Sequence, residues 1–124
     1  MAALAQAQGA AHAAILGIGA YRPSRVIPNA EVVEAIDSSD EWIQQRSGIR
    51  QRRWATPEET VQLMSVAAAR QALERAGVDA RQVDCVIVAS VIRLLQTPTV
   101  APDVAHVLGT DQAAAFDISA ACAG

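Results

Sequence analysis

The stretch DCVIVASVI, residues 84–92, is a continuous run of apolar and β-branched residues with no polar alternation. Its length suits a strand, and an unalternating run is the texture of a strand covered by helices on both faces, as in parallel sheets. Cys85, inside that run, reads as a core residue. Working outward, AAAFDIS (113–119) has the same texture and predicts a second core strand. AAILGIGAY (13–21), closed by Arg22 and Pro23, predicts another buried strand near the start of the chain. Between 92 and 113, Pro98 and Pro102 open a helix that ends at Gly109, with Pro102 confined to its first turn. The order strand, helices, strand, helix, strand predicts an α/β fold with parallel pairing.

The helices before residue 84 are marked by their ends. Asn29 is placed to N-cap a short helix through Ile36, with Glu31 and Glu34 near its positive end. SSDE (38–41) offers a capping box from Ser38 to Glu41, predicting a second helix to about Arg46 that Gly48 breaks. IRQRRWA (49–55) reads as an arginine-rich connector. TPEE (56–59) marks the longest helix: Thr56 is the N-cap, Pro57 stands where its missing N–H costs nothing, and Glu59 completes the box. That helix runs to Ala76 and stops at Gly77, a left-handed C′ residue. Val61, Met64, Ala68 and Ala72 share one face, with Ala69, Leu73 and Ala76 beside it. Residues so small let a helix lie close against a sheet.

Composition sets the outer limits. The chain has 124 residues, 52% hydrophobic and 19% charged, enough for one compact domain or part of a larger one and too apolar for intrinsic disorder. No repeat is present, and no apolar run reaches the ~18–20 residues of a membrane helix. A net charge of −3 argues against a protein that coats nucleic acid. All ten cationic residues are arginine; with 27 alanines, this reads as the codon bias of a GC-rich genome. Cys85 and Cys122 lack metal-type spacing, so neither a zinc site nor a disulfide framework is expected, and reduced thiols in a cytoplasm are the default. The opening MAALAQAQGAAHAA lacks the positive region of a secretory signal, and residues 1–12 read as a frayed alanine-rich tail.

Two places carry chemistry. FDISAACAG (116–124) puts Cys122 just past a buried strand, at a turn crowded by small residues where a helix is expected next. Backbone N–H groups and the positive end of a helix dipole lower a thiol pKa and stabilise an oxyanion, so Cys122 fits a nucleophile. A small buried cysteine filling a tight turn fits the spacing equally. The second place is α-helical: Trp42 and Arg46, four apart, project from one face, and Arg50, Arg52, Arg53 and Trp54 follow. Such flat and cationic groups can hold an aromatic base and its phosphates. A solvated basic turn paired with Asp37, Asp40 and Glu41 is the other reading. His12 and His106 have no neighbour that makes them a catalytic base, and GIGAYRP (17–23) lacks the third glycine of a phosphate loop.

Three segments in this order and spacing, SSDEWIQQRSGIRQRR (38–53), RLLQTP (93–98) and FDISAACAG (116–124), resemble β-ketoacyl-acyl-carrier-protein synthase III, the initiating condensing enzyme of type II fatty-acid synthesis. The likeness runs over about residues 14–124, and RLLQTP resembles actinobacterial members. It implies a partial thiolase-like fold, the N-terminal portion of the first βαβαβ half, with residues 13–124 forming an incomplete N-terminal domain. It implies that Cys122 takes an acyl group from acyl-CoA as a thioester and that its own N–H is half of the oxyanion hole. Trp42 then matches the indole that stacks on the CoA adenine, Arg46 an arginine beside the nucleotide, and Ser38 a hydroxyl near the adenine. Thr97, and less directly Gln96, match dimer-interface residues that reach the partner subunit's acyl pocket.

The resemblance also implies what the chain lacks. Family members are much longer and built of two similar halves, and their catalytic histidine and asparagine lie in the second. The helix expected after Cys122 is missing as well. The chain therefore reads as the front of an acyltransferase that condenses acyl-CoA with malonyl-acyl-carrier-protein, inactive by itself and exposing apolar strand edges that favour aggregation. Acyl-CoA enters as substrate, with no cofactor, metal, nucleic acid or membrane partner, and the full-length protein is expected to be a cytoplasmic homodimer. A synthase III homologue of a polyketide pathway, or a non-catalytic CoA-binding or interaction module, fits the same residues.

Overall fold

The computed structural model describes residue 9, residues 11–92, residues 97–119 and residue 121. Among them the chain forms β1 (Arg25–Pro28), α1 (Asn29–Val33), α2 (Asp40–Ser47), β2 (Gln51–Trp54), α3 (Val61–Ala76), a short 3-10 turn (Ala80–Gln82), β3 (Cys85–Ala89), α4 (Val100–Leu108) and β4 (Ala114–Ile118). The strands make two small sheets. β3 and β4 pair in parallel, Cys85 against Ala114 through Ala89 against Ile118, with α4 as the crossover. β1 and β2 pair antiparallel, Arg25 against Trp54 through Pro28 against Gln51. No helix among the described residues is long and apolar enough to cross a membrane.

The βαβ unit matches the sequence expectation of parallel pairing, but its burial does not. Along β3 and β4 the residues alternate between exposed and half-buried. Val86 and Val88 pack on the core formed by Val66, Val100 and Val104, while Cys85 is exposed and Ile87 is 54% exposed. Neither strand is covered on both faces, and Cys85 is not a core residue. The reason is the layer count: α3 and α4 cover one side of the sheet, and no described element covers the other.

Residues 13–21 are not a strand in this structure, because no neighbouring strand offers them a ladder. They keep a period of two nonetheless: Gly17, Gly19 and Tyr21 are half-buried, while Leu16, Ile18 and Ala20 are exposed. Ala20 N–H donates to Gln71 Oε1 at 3.0 Å, and Arg75 Nη1 donates to the Ile18 carbonyl at 2.7 Å, both from α3. A Cβ on Gly19 would overlap the Ala68 carbonyl oxygen, and one on Gly17 the Ala72 carbonyl oxygen. The small residues of α3 thus receive this segment rather than a sheet.

The stops of α2, α3 and α4 agree with the sequence, whereas α1 ends at Val33 instead of reaching Ile36 and the N-termini shift. Gly48, Gly77 and Gly109 all adopt the left-handed region, at φ +72°, +64° and +80°. Asn29, by contrast, is the first residue of α1 and caps nothing; its side chain is buried in other bonds. The cap of α2 is Ser39, whose Oγ accepts from Trp42 N–H at 3.1 Å, one residue later than expected. α3 starts at Val61 with Thr60 as cap, not at Thr56. Glu59 does accept from Thr56 N–H at 2.8 Å, but the same carboxylate also takes Tyr21 Oη at 2.6 Å and Ser24 N–H at 2.8 Å. Those bonds draw residues 56–59 into a turn that joins the 13–24 segment to α3. Residues 49–55 are not simply a connector, since β2 lies within them.

Candidate functional site

The cap at Ser39 fixes where α2 begins, and with it which residues share a face. Trp42 and Arg46 are one turn apart, with the guanidinium carbon 5.8 Å from the indole centroid, a contact worth roughly 0.5–1 kcal/mol at an exposed site. Trp42 remains 56% exposed, so one ring face is free to stack. It lines an open cleft of about 480 Å³ together with Ile36, Asp37, Ser38, Ser39 and Ile43. Ser38 Oγ is buried and has no hydrogen-bond partner among the described residues. An exposed indole lining the cleft, with a guanidinium over its ring, suits a flat, negatively charged ligand.

What holds α2 in place lies outside the motif. Asn29 Nδ2 donates to Asp40 Oδ1 at 2.6 Å and to the Ile49 carbonyl at 2.7 Å, while its Oδ1 accepts from Arg52 Nη2 at 2.7 Å. Gln44 Nε2 donates to both Asp40 oxygens at 2.9 Å. The Asn29 bond, then the Gln44 bonds, hold the Asp40 carboxyl below its ordinary value. Arg52 is therefore drawn inward, and Arg53 Nη1 donates to the Ser24 carbonyl at 3.1 Å. Arg25 lies over Trp54 and pairs with Glu31. The arginine-rich stretch is thus divided: Arg46 stays against Trp42, and Arg52, Arg53 and Trp54 secure the β1–β2 sheet.

The structure brings Ser38, Trp42 and Arg46 together. Thr97 does not line their cleft; it is exposed on the segment entering α4, preceding Pro98 through a cis peptide bond. Gln96 and Cys122 lie outside the described residues, as do residues 1–8 and 10 of the expected tail. Ala121, next to Cys122, has φ +50°, an uncommon value for a residue with a Cβ and one found at tight turns. His106 sits at the surface, 3.8 Å from Asp111, and no group among the described residues could hold a metal ion.

Comparison with known proteins bears on the chain as a whole. A β-ketoacyl-acyl-carrier-protein synthase III of Streptomyces coelicolor is 56% identical over all 124 residues, which cover 36% of that protein. A mycobacterial synthase III of Mycobacterium ulcerans is 48% identical over the same span, 37% of its length. Over its whole length the chain is similar to β-ketoacyl-acyl-carrier-protein synthase III enzymes. It spans about a third of the length of the curated relatives it matches. No family model matches it. Among solved structures, the priming β-ketosynthase of the R1128 polyketide pathway superposes with a TM-score of 0.84 and 53% identity, over 89% of this chain and 33% of that one. The synthase III of Aquifex aeolicus gives 0.81 and 40% identity over 89% of this chain and 35% of its own. The partial thiolase-like α/β fold expected from the sequence is the fold of these relatives.

Three residues hold the described elements together in ways the motifs do not show. Asn29 anchors α2, Glu59 ties residues 13–24 to α3, and Asp117 grips the start of α4. Their sequence signal is a polar side chain within or beside an apolar run, as Asp117 is in AAAFDIS.

Proposed function

We propose that the whole protein is an acyltransferase that condenses an acyl-CoA starter with malonyl-acyl-carrier-protein through a thioester on Cys122. The Cys122 thiolate attacks the acyl carbonyl, the tetrahedral intermediate collapses, and CoA leaves as its thiolate. Malonyl-acyl-carrier-protein then loses carbon dioxide, and the carbanion so formed attacks the acyl-enzyme carbonyl. Cys122 leaves as the thiolate and the β-ketoacyl chain stays on the carrier protein. Carbon dioxide loss generates the nucleophile without a strong base, and the N–H of Cys122 stabilises the oxyanion. The histidine and asparagine that promote decarboxylation come from sequence beyond these residues.

The observation that carries this reading is the cleft lined by Ser38 and Trp42, with the Arg46 guanidinium over the Trp42 ring. Trp42 stacks on the adenine of CoA, Arg46 stands beside the nucleotide, and Ser38 lies near the base. CoA is substrate here rather than a resident cofactor, and the chemistry needs no metal. Thr97 contributes to a homodimer interface that reaches the partner's acyl pocket, and the reaction belongs in the cytoplasm. The test is intact-mass analysis after incubation with acyl-CoA. We expect an acyl adduct that hydroxylamine removes and that Cys122→Ser abolishes; an undiminished adduct in that variant refutes the assignment. CoA binding with no adduct favours a binding module instead.

A second reading assigns the same chemistry to the priming step of a polyketide pathway. The likeness to the R1128 priming ketosynthase supports it. Starter preference in the condensation assay separates the two.

A further inference from the structure

One carboxylate is explained by neither the core nor the cleft. On β4 the half-buried positions are Ala115 and Asp117, while Ala114, Phe116 and Ile118 are exposed. A charged side chain on the helix-facing side of a strand forfeits apolar packing and needs hydrogen-bond partners. Asp117 finds two: Oδ2 accepts from Val100 N–H at 2.9 Å and Oδ1 from Ala101 N–H at 2.7 Å. Val100 and Ala101 are the first two residues of α4 and are 2% and 0% exposed, so water does not replace this partner. The N-cap Thr99 supplies no side-chain bond, and the third position is Pro102, which has no N–H. The orphan donors of the first turn of α4 are thus satisfied from β4 rather than from the helix's own cap.

We propose that Asp117 is a positioning residue of the condensing site, fixing the segment that carries Thr97 against the strand that runs on to Cys122. This rests on the acyl-transfer reading above. Thr97 stands three residues before the gripped Val100, and Cys122 five residues after Asp117, so one carboxylate joins the chain on the way to both. Trp42 and Arg46 lie on α2, which makes no bond to Asp117. Loss of the grip therefore disturbs the acyl group and its pocket wall while leaving the nucleotide in place.

The test is the full-length protein, assayed with malonyl-acyl-carrier-protein and acyl-CoA starters of increasing chain length. Asp117→Asn places a donor where one acceptor stood. We expect kcat to fall roughly tenfold and the ranking of starters to change, while inhibition by free CoA moves less than about twofold. Adding Thr99→Asp to that variant gives α4 a cap of its own but does not rejoin it to β4. The double variant should recover the melting temperature and keep the altered ranking. Recovery of both, or unchanged kinetics in folded Asp117→Asn, overturns the proposal. If Asp117→Asn does not fold, the double variant alone is compared with wild type on the same criterion. If wild type forms no acyl-enzyme, the functional reading fails separately. The rate of Cys122 alkylation by iodoacetamide then decides: a changed rate in Asp117→Asn supports the grip and an unchanged rate overturns it.

Discussion

Trp42 lies on the outside of the fold. An indole 56% open to solvent, with a guanidinium over its ring, contributes little to folding, and in the proposed function it stacks on the nucleotide of CoA. In the full-length protein, Trp42→Ala should raise KM for acyl-CoA roughly tenfold with a smaller change in kcat, because stacking on the nucleotide is the same in ground and transition states. Steady-state kinetics checks this, and an unchanged KM counts against the stacking role. This part of the site was legible in the sequence, since i and i+4 on a capped helix must share a face. Asn29 was not. Its partners Asp40, Ile49 and Arg52 lie far along the chain, and no local pattern distinguishes a buried network from an N-cap. The unpaired Ser38 Oγ was equally hidden, because burial of one hydroxyl is a tertiary fact.

Among the elements, the contact of residues 13–24 with α3 depends on glycine in one place and a carboxylate in another. The Ala68 carbonyl is helix backbone and does not give way, so Gly19→Ala should destabilise the chain by about 1–3 kcal/mol, the usual cost of overpacking. Denaturant unfolding measures it, and a loss near zero means the segment is not docked in solution. Glu59 secures the same contact. Its carboxyl is held below the ordinary glutamate value first by the Tyr21 hydroxyl, then by the Thr56 and Ser24 N–H groups. A carboxyl lowered on folding stabilises above its unfolded pKa, and that contribution is lost as pH falls through the folded value. Thermal melts should therefore drop as pH is lowered from about 5. Glu59→Gln should be less stable at neutral pH, with a shallower acid slope; parallel slopes would remove Glu59 from the account. Sequence reading placed the stops of α2, α3 and α4, because a left-handed C′ residue is a local steric demand that Gly48, Gly77 and Gly109 meet; α1, with no such glycine, stops short of the expected Ile36. It misplaced the starts, because Thr56 and Thr60 are both adequate caps and the choice between them is made by Tyr21 and Ser24. It missed β2 because QRRW has no apolar alternation; the strand exists because Ile27, opposite Arg52, is fully buried.

For the whole molecule, the decisive feature is a sheet with one covered face. The register sets Ile87 beside Phe116 and Ala89 beside Ile118, and Cys85 beside Ala114, all turned away from α4. Ile15, Leu16 and Ile18 are also 83%, 69% and 66% exposed. The unbroken apolar texture of residues 84–92 announced two covered faces, and the structure supplies helices for one. The relatives have roughly three times the chain available for the other. Contiguous apolar area of this kind on an isolated chain drives association, and an open strand edge adds backbone donors and acceptors to it. The 124-residue chain should therefore associate as its concentration rises, as sedimentation velocity would show. Ile87→Glu together with Phe116→Glu should shift it toward monomer, because two opposed carboxylates resist burial against a second apolar face. Circular dichroism must show that β3 and β4 still pair in that variant. A wild-type chain that stays monomeric at high concentration would mean that this face is covered within one molecule, and that the strand pattern was right about its burial after all.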